Sequence, residues 1–172
     1  EGGTGIVIGT TTGFGSVIVD GAPWDDRAAR IEVEIDPVTF EPRPIRVTAV
    51  QDVGRAIFPE GLRGQIEGGV AQGLGQALSE EIVYEGGRVL NATLTDYKMP
   101  TALDVPRIHS ILVQRPSAVG PYGAKGVGEP PNIEPPAAVA NAVAAAAGVR
   151  ITSLPITAEK IRLALAGTEA AR

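Results

Sequence analysis

PEGLRGQIEGGVAQGLGQAL, residues 59–78, sets Leu62, Ile66, Val70, Leu74 and Leu78 four residues apart. That spacing predicts a helix with one apolar stripe. The same stretch also carries Gly64, Gly68, Gly69, Gly73 and Gly75. An interior glycine costs about 0.5–1 kcal/mol relative to alanine. Something must compensate for so many of them, and two readings stand: tight packing against a neighbouring element, or close approach of a ligand. Before the helix, RIEVEID (30–36) alternates strictly, with Ile31, Val33 and Ile35 on one face, as a half-buried strand does. Asp36-Pro37-Val38-Thr39 opens a turn, and 45–53 supplies the next strand, so an antiparallel pair with a longer connection is expected.

After the helix, Glu85-Gly86-Gly87 lies between two short β-like runs, 81–84 and 88–91, which is a hairpin signal. Residues 97–104 read as extended and irregular, and 107–114 as another strand. A Gly/Pro loop then runs from Gly120 to Pro136. Residues 137–147 form a second helix, with Pro135-Pro136 before it and Gly148 after it. A short strand is expected at 150–153, and a final helix at 157–165 with Thr157 as its N-cap. Residues 1–20 mix Gly, Thr and β-branched types and suggest a glycine-rich loop and a strand; Trp24 anchors a loop. Hairpins outnumber crossovers, so the class is α+β, a mixed, antiparallel-rich sheet with three main helices. The expected division is a glycine-rich opening segment, 1–29, and one domain, 30–172.

Composition narrows the function. The 172 residues include 22 Gly, 14 Pro and no Cys, with one His and a net charge of −5. Without cysteine there is no disulfide, thiolate zinc site or iron–sulfur cluster within the chain. A single histidine, His109, excludes a His-rich metal site, and its strand setting makes it a surface or packed residue. No basic run accompanies aromatic residues, so nucleic-acid binding is not expected. The longest apolar run, 137–149, is too short to span a bilayer.

Only GPYGAKGVGEPP (120–131) looks built for chemistry. Its glycines free backbone N–H groups to face a ligand, Lys125 adds a positive charge, and Glu129 is held between a glycine and two prolines. A carboxylate at a fixed point suits general-base work, since a base must sit within hydrogen-bond reach of the proton it takes. On spacing alone such a loop is more often a surface turn. It matches neither the GxxxxGK[ST] phosphate loop nor a strand–GxGxxG–helix unit.

The run GPYGAKGVGEPP nevertheless closely resembles the active-site loop of the molybdenum hydroxylases, the family of xanthine dehydrogenase, aldehyde oxidoreductase and carbon monoxide dehydrogenase. GQIEGGVAQGLGQAL (64–78) resembles that family's glycine-rich helix. Asp52-Val53-Gly54-Arg55-Ala56-Ile57 resembles the D-x-G strand end before it, and Tyr97-Lys98-Met99-Pro100-Thr101 the Y-x-x-P-T segment. The closing pattern, 138–148 followed by Leu154-Pro155-Ile156-Thr157, is similar too. These matches follow one another in order over roughly residues 30–166.

The resemblance implies that Glu129 is the catalytic base and that Gln65 approaches a molybdenum-pterin. By the same implication Gly68 and Gly69 permit close approach, and the backbone of Gly123, Ala124, Lys125, Gly126 and Val127 lines the cofactor. The side chain of Lys125 could meet phosphate or solvent, with solvent preferred. The metal would be held by the pterin and by no protein side chain, with molybdopterin in its cytosine dinucleotide form. The implied reaction is hydroxylation of an N-heterocycle or aldehyde with oxygen from water, in the cytoplasm. Burial of Glu129 would suit a base working near neutral pH. Nothing in 1–23 matches the family's upstream cofactor contacts. The chain therefore reads as the C-terminal part of a longer molybdenum subunit, inactive as an isolated fragment. Its implied partners are the upstream part of that subunit, an iron–sulfur subunit with or without a FAD subunit, and a small-molecule substrate. The competing reading is a non-catalytic assembly or scaffold domain on the same fold.

Overall fold

In chain order the secondary structure runs β1 (Val7–Gly15), β2 (Arg27–Ile35), β3 (Pro42–Asp52), α1 (Pro59–Leu78), β4 (Tyr84–Glu85), β5 (Arg88–Val89), β6 (Ile108–Val113), α2 (Glu134–Ala147) and α3 (Ala158–Ala170). These come from a computed structural model that describes residues 7–15 and 27–170. Trp24 and the flanking residues 1–6 and 16–26 lie outside the described residues.

The alternating strand, β2, is the centre of a sheet ordered β1-β2-β3-β6. It pairs antiparallel with β1 on one side and with β3 on the other. The turn joining β2 to β3 is shaped by Asp36, whose Oδ1 accepts the N–H groups of Val38 and Thr39, both at 2.8 Å. Side chains of alternate residues leave a strand on opposite faces. On β2 this sends Ile31, Val33 and Ile35 into the core. On the other face Glu32 meets Arg30 at 3.4 Å and Arg46 at 3.5 Å. α2 packs over β1 and β2, and α1 packs against α2. Ile66, Val70 and Leu74 of α1 meet Val139, Ala142 and Val143 of α2 in the shared core. A fully buried Val, Ile or Leu contributes about 1.5–3 kcal/mol.

α1 spans the expected residues, and packing accounts for only some of its glycines. A Cβ on Gly69 would stand 2.8 Å from Cβ of Pro131, and one on Gly73 would stand 2.9 Å from Pro135. Those two let α1 approach the segment leading into α2. Gly64 and Gly68 have nothing within 4 Å of where a Cβ would be. Packing accounts for the first pair and leaves the second unexplained.

Other elements differ from the expectations in informative ways. The hairpin forms across Gly86 and Gly87, both at positive φ, with only two residues in each strand. Asn91 ties that arm together, donating to the Glu81 carbonyl at 2.6 Å and accepting from Val83 N–H at 2.9 Å. β6 joins β3 in parallel, so the passage through α1 is a crossover. α2 begins at Glu134, which places Pro135 and Pro136 inside its first turn, and Gly148 closes it in the left-handed conformation. Thr157 does cap α3, its Oγ1 accepting from Lys160 N–H at 3.3 Å. No strand forms at 150–153. The chain there turns beneath the end of α1, where Ile156 N–H donates to the Ala77 carbonyl at 2.7 Å, and among the described residues no strand lies alongside to complete a ladder. His109 is exposed on β6.

Candidate functional site

The site is organised by the last two residues of β3. Gln51 and Asp52 are consecutive, so they face opposite sides of the sheet, and both are almost wholly buried. Gln51 Nε2 donates to Glu134 Oε1 at 3.2 Å, and Arg27 Nε lies 3.1 Å from the same oxygen. Glu134 sits in the first turn of α2, where a carboxylate also complements the helix dipole. Asp52 serves the other side. Its Oδ1 accepts N–H groups from Gly54 at 3.0 Å and Arg115 at 3.2 Å, and its Oδ2 accepts Lys125 Nζ at 2.7 Å.

Lys125 thus departs from the expectation of solvent. Its side chain is 11% exposed and ion-paired with Asp52. The backbone crosses at the same point: Arg55 N–H donates to the Gly123 carbonyl at 2.8 Å and Lys125 N–H to the Val53 carbonyl at 3.0 Å. Gly54 makes the crossing possible, with φ +65° and no Cβ to strike the Gly123 carbonyl.

Burial alone would raise the Asp52 carboxyl. The bond from Lys125, the two backbone N–H groups and the lysine charge together outweigh it and hold the group below its ordinary value. A carboxyl depressed by folding contributes stability that is present above its unfolded value, about pH 4. That contribution is lost as pH falls through the lower folded value. The acid limb of the stability curve, below about pH 4, should therefore be shallower in Asp52→Asn than in wild type, by up to about one proton. Acid titration followed by circular dichroism measures this, and identical slopes would contradict the assignment.

The crossing redirects the loop's backbone. Gly123 N–H bonds the Gly120 carbonyl, Ala124 N–H the Pro121 carbonyl and Lys125 N–H the Val53 carbonyl, so these three donors are turned inward. The expectation that the loop's early glycines free their N–H groups for a ligand fails at Gly123, because a 3₁₀ turn at Pro121–Gly123 uses them. Among the described residues, the N–H groups of Gly126, Val127 and Gly128 make no backbone hydrogen bond. Val127 packs at the edge of the core. Pro130 and Pro131 are buried, Pro131 against Gly69, so Gly69 grants close approach to this proline.

Glu129 sits between these anchors with its side chain exposed and, among the described residues, with no side-chain hydrogen bond or ion pair; its carbonyl accepts from Asn132 N–H at 3.1 Å. The burial expected of it is not supplied by the described residues. Gln65, exposed on α1, brings Oε1 to 3.7 Å from where a Cβ of Gly128 would stand. Gly64 and Gly68 on α1, together with Gly126 in the loop, face open space. The result is a wall with one free carboxylate, one free amide and no Cβ at several points. A shallow cleft of about 380 Å³ adjoins it, lined by Arg55, Phe58, Gly61, Leu62, Gln65 and Ala124. Arg55 and Phe58 were not singled out from the sequence. The Tyr97–Thr101 segment lies elsewhere. Met99, Pro100 and Thr101 line a larger cleft with Leu74 and Leu78. At 1.5 Å per residue, Leu78 lies about 20 Å along α1 from Gln65. Among the described residues no group of three His, Cys, Asp or Glu side chains could hold a metal ion, and no helix is long and apolar enough to cross a membrane.

Comparison with known proteins adds to this geometry. The family model of the molybdopterin cofactor-binding domain matches residues 21–106, half of the chain. The xanthine dehydrogenase molybdenum-binding subunit of Escherichia coli O157:H7 is 37% identical over 159 residues, covering 90% of this chain and 20% of that protein. Quinoline 2-oxidoreductase from Pseudomonas putida 86 superposes with a TM-score of 0.77 at 40% identity, over 83% of this chain and 19% of that one. Aldehyde oxidoreductase from Desulfovibrio gigas gives a TM-score of 0.75 at 36% identity, over 83% and 15%. The chain spans about a fifth of the length of the curated relatives it matches. It belongs to the molybdopterin cofactor-binding domain family, alongside the xanthine dehydrogenase molybdenum-binding subunit and aldehyde oxidoreductase.

Proposed function

We propose that this chain is the part of a molybdenum hydroxylase that presents the catalytic base, Glu129, and one wall of the molybdopterin pocket. The observation that carries this is the exposed carboxylate of Glu129, one residue on from the Gly128 that Gln65 approaches, with open space at Gly64, Gly68 and Gly126. That wall fits a flat, polar group. It has no Cβ to hold such a group off, an amide able to donate and accept, and unbonded N–H groups at Gly126 and Val127. When bound, the molybdenum group supplies the two-electron redox chemistry. Gln65 orients it, Gly68, Gly126 and Val127 allow it to come close, and Gly69 keeps Pro131, and with it Glu129, in place. Gly123, Ala124 and Lys125 act one step back, holding the loop rather than touching the cofactor.

The overall conversion adds water to a C–H carbon, giving C–OH, two electrons and two protons, and Glu129 receives the first of those protons. Substrates of the N-heterocycle and aldehyde classes agree with the names of the quinoline and aldehyde oxidoreductases. The upstream part of the molybdenum subunit would complete the pocket and cover Glu129. Iron–sulfur and FAD groups would sit on partner subunits or domains, as zero cysteines requires for the clusters. The cytosine dinucleotide form of the cofactor and a cytoplasmic setting complete the reading. Turnover of quinoline and of an aromatic aldehyde by the assembled enzyme in ¹⁸O-labelled water tests it. The hydroxylated product should carry the label. Product oxygen drawn from O₂, or no product from either class, would refute the proposal.

A further inference from the structure

Residues 115–134 cross the end of β3 and are gripped there three times. Arg115 N–H binds Asp52 Oδ1 where the segment starts, Lys125 Nζ binds Asp52 Oδ2 midway, and Glu134 meets Gln51 where it ends. Two consecutive strand residues, facing opposite sides of the sheet, thus hold both ends and the middle of the segment that carries Glu129. The middle grip is the unusual one. Asp52 and Lys125 are 2% and 11% exposed at their side chains. A buried ion pair is a poor way to add stability, because desolvation offsets much of the attraction and an apolar pair often serves as well. What it does provide is a short, directional, charge-assisted bond at one place. Lys125 is four residues from Glu129, and four residues reach at most about 14 Å even when fully extended. Within that span only Val127 touches the core, and Gly126 and Gly128 flank it. The buried Pro130 and Pro131 hold the far side of Glu129, and without a fixed Lys125 the glycines would leave its near side unheld.

We propose that Asp52 is a positioning residue for Glu129, acting through its ion pair with Lys125 to fix the loop. The inference rests on Glu129 being the base, and it adds the residue that sets where the base stands. A misplacement of about 1 Å can cost about a hundredfold in rate. The experiment uses the assembled enzyme with Asp52→Asn, Lys125→Met and Lys125→Arg. Asparagine can still accept from Gly54 and Arg115, and Lys125→Met leaves both of those bonds untouched, so at least one variant should fold. In the first two variants kcat should fall about ten- to a hundredfold. In Asp52→Asn KM should stay within about twofold, because Asp52 lines neither of the two clefts. Molybdenum content should match wild type, and Lys125→Arg, which keeps the cation, should recover most of the lost kcat. Amide hydrogen exchange should quicken across 120–129 while β2 and α2 stay protected.

Rates within about twofold of wild type in both variants would overturn the proposal. So would losses that merely track lost molybdenum, or unchanged exchange at 120–129. The two ideas fail separately. An active Glu129→Gln enzyme would dispose of the base, while quickened exchange in Asp52→Asn would still uphold the grip on the loop.

Discussion

Glu129→Gln should reduce turnover of the assembled enzyme by about 10²–10⁴-fold, the range a general base contributes, with molybdenum and pterin content unchanged. Glutamine keeps the length and most of the hydrogen-bonding capacity of the side chain but cannot take up the proton. The effect should fall on kcat, since the interaction lost is one made as the proton moves. The stability of the part of the fold that this chain supplies should hardly change. The carboxylate is exposed and has no hydrogen-bond partner among the described residues, so the fold draws nothing from it. Surface substitutions of that kind stay within about 0.5 kcal/mol. This combination separates a catalytic group from a structural one: activity lost, metal kept, melting unmoved. An enzyme retaining even about a tenth of wild-type turnover would sink the assignment, being above the least that a general base supplies.

The features legible in the sequence are those whose cause is local. The period-two run of Ile31, Val33 and Ile35 became a buried strand face, and the period-four run from Leu62 to Leu78 became α1 with the expected ends. Asp36 and Thr157 were readable because a turn or cap needs only neighbours a few residues away. Long-range arrangements were not. The parallel seat of β6 beside β3 depends on the crossover between them, which no window of sequence contains. Residues 150–153 are strand-like but have no partner strand among the described residues, and a strand without a ladder is not one. The grip on the loop was hidden for the same reason: Asp52 and Lys125 are 73 positions apart, and Gln51 and Glu134 are 83. Resemblance pointed to the D-x-G strand end as a pattern, but only the folded chain gives that pattern a task. Glu129 shows the converse. Its glycines and prolines marked it, yet its surroundings in this chain stop at an open wall.

Gly54→Ala should be strongly destabilising, costing about 2–5 kcal/mol. Two effects act together. The residue has φ +65°, where a non-glycine residue pays about 1–2 kcal/mol. Its new methyl would also collide with the Gly123 carbonyl oxygen and stand 2.9 Å from both N and Cγ of Lys125. Those neighbours are largely backbone and cannot rotate away. Relief would mean parting the strands of the crossing, which breaks the Arg55-to-Gly123 and Lys125-to-Val53 bonds at about 0.5–1.5 kcal/mol each. The loop would leave the end of β3, taking Lys125 off Asp52. Gly167→Ala in α3 is the control, because the same added methyl meets nothing within 4 Å there. In a helix it should gain up to about 1 kcal/mol. Thermal melting of the two variants should therefore move in opposite directions. Gly54→Ala melting within about 1 kcal/mol of wild type would mean that strain and collision are both relieved, since strain alone costs that much. The backbone crossing would then not be the fixed point from which Glu129 is presented.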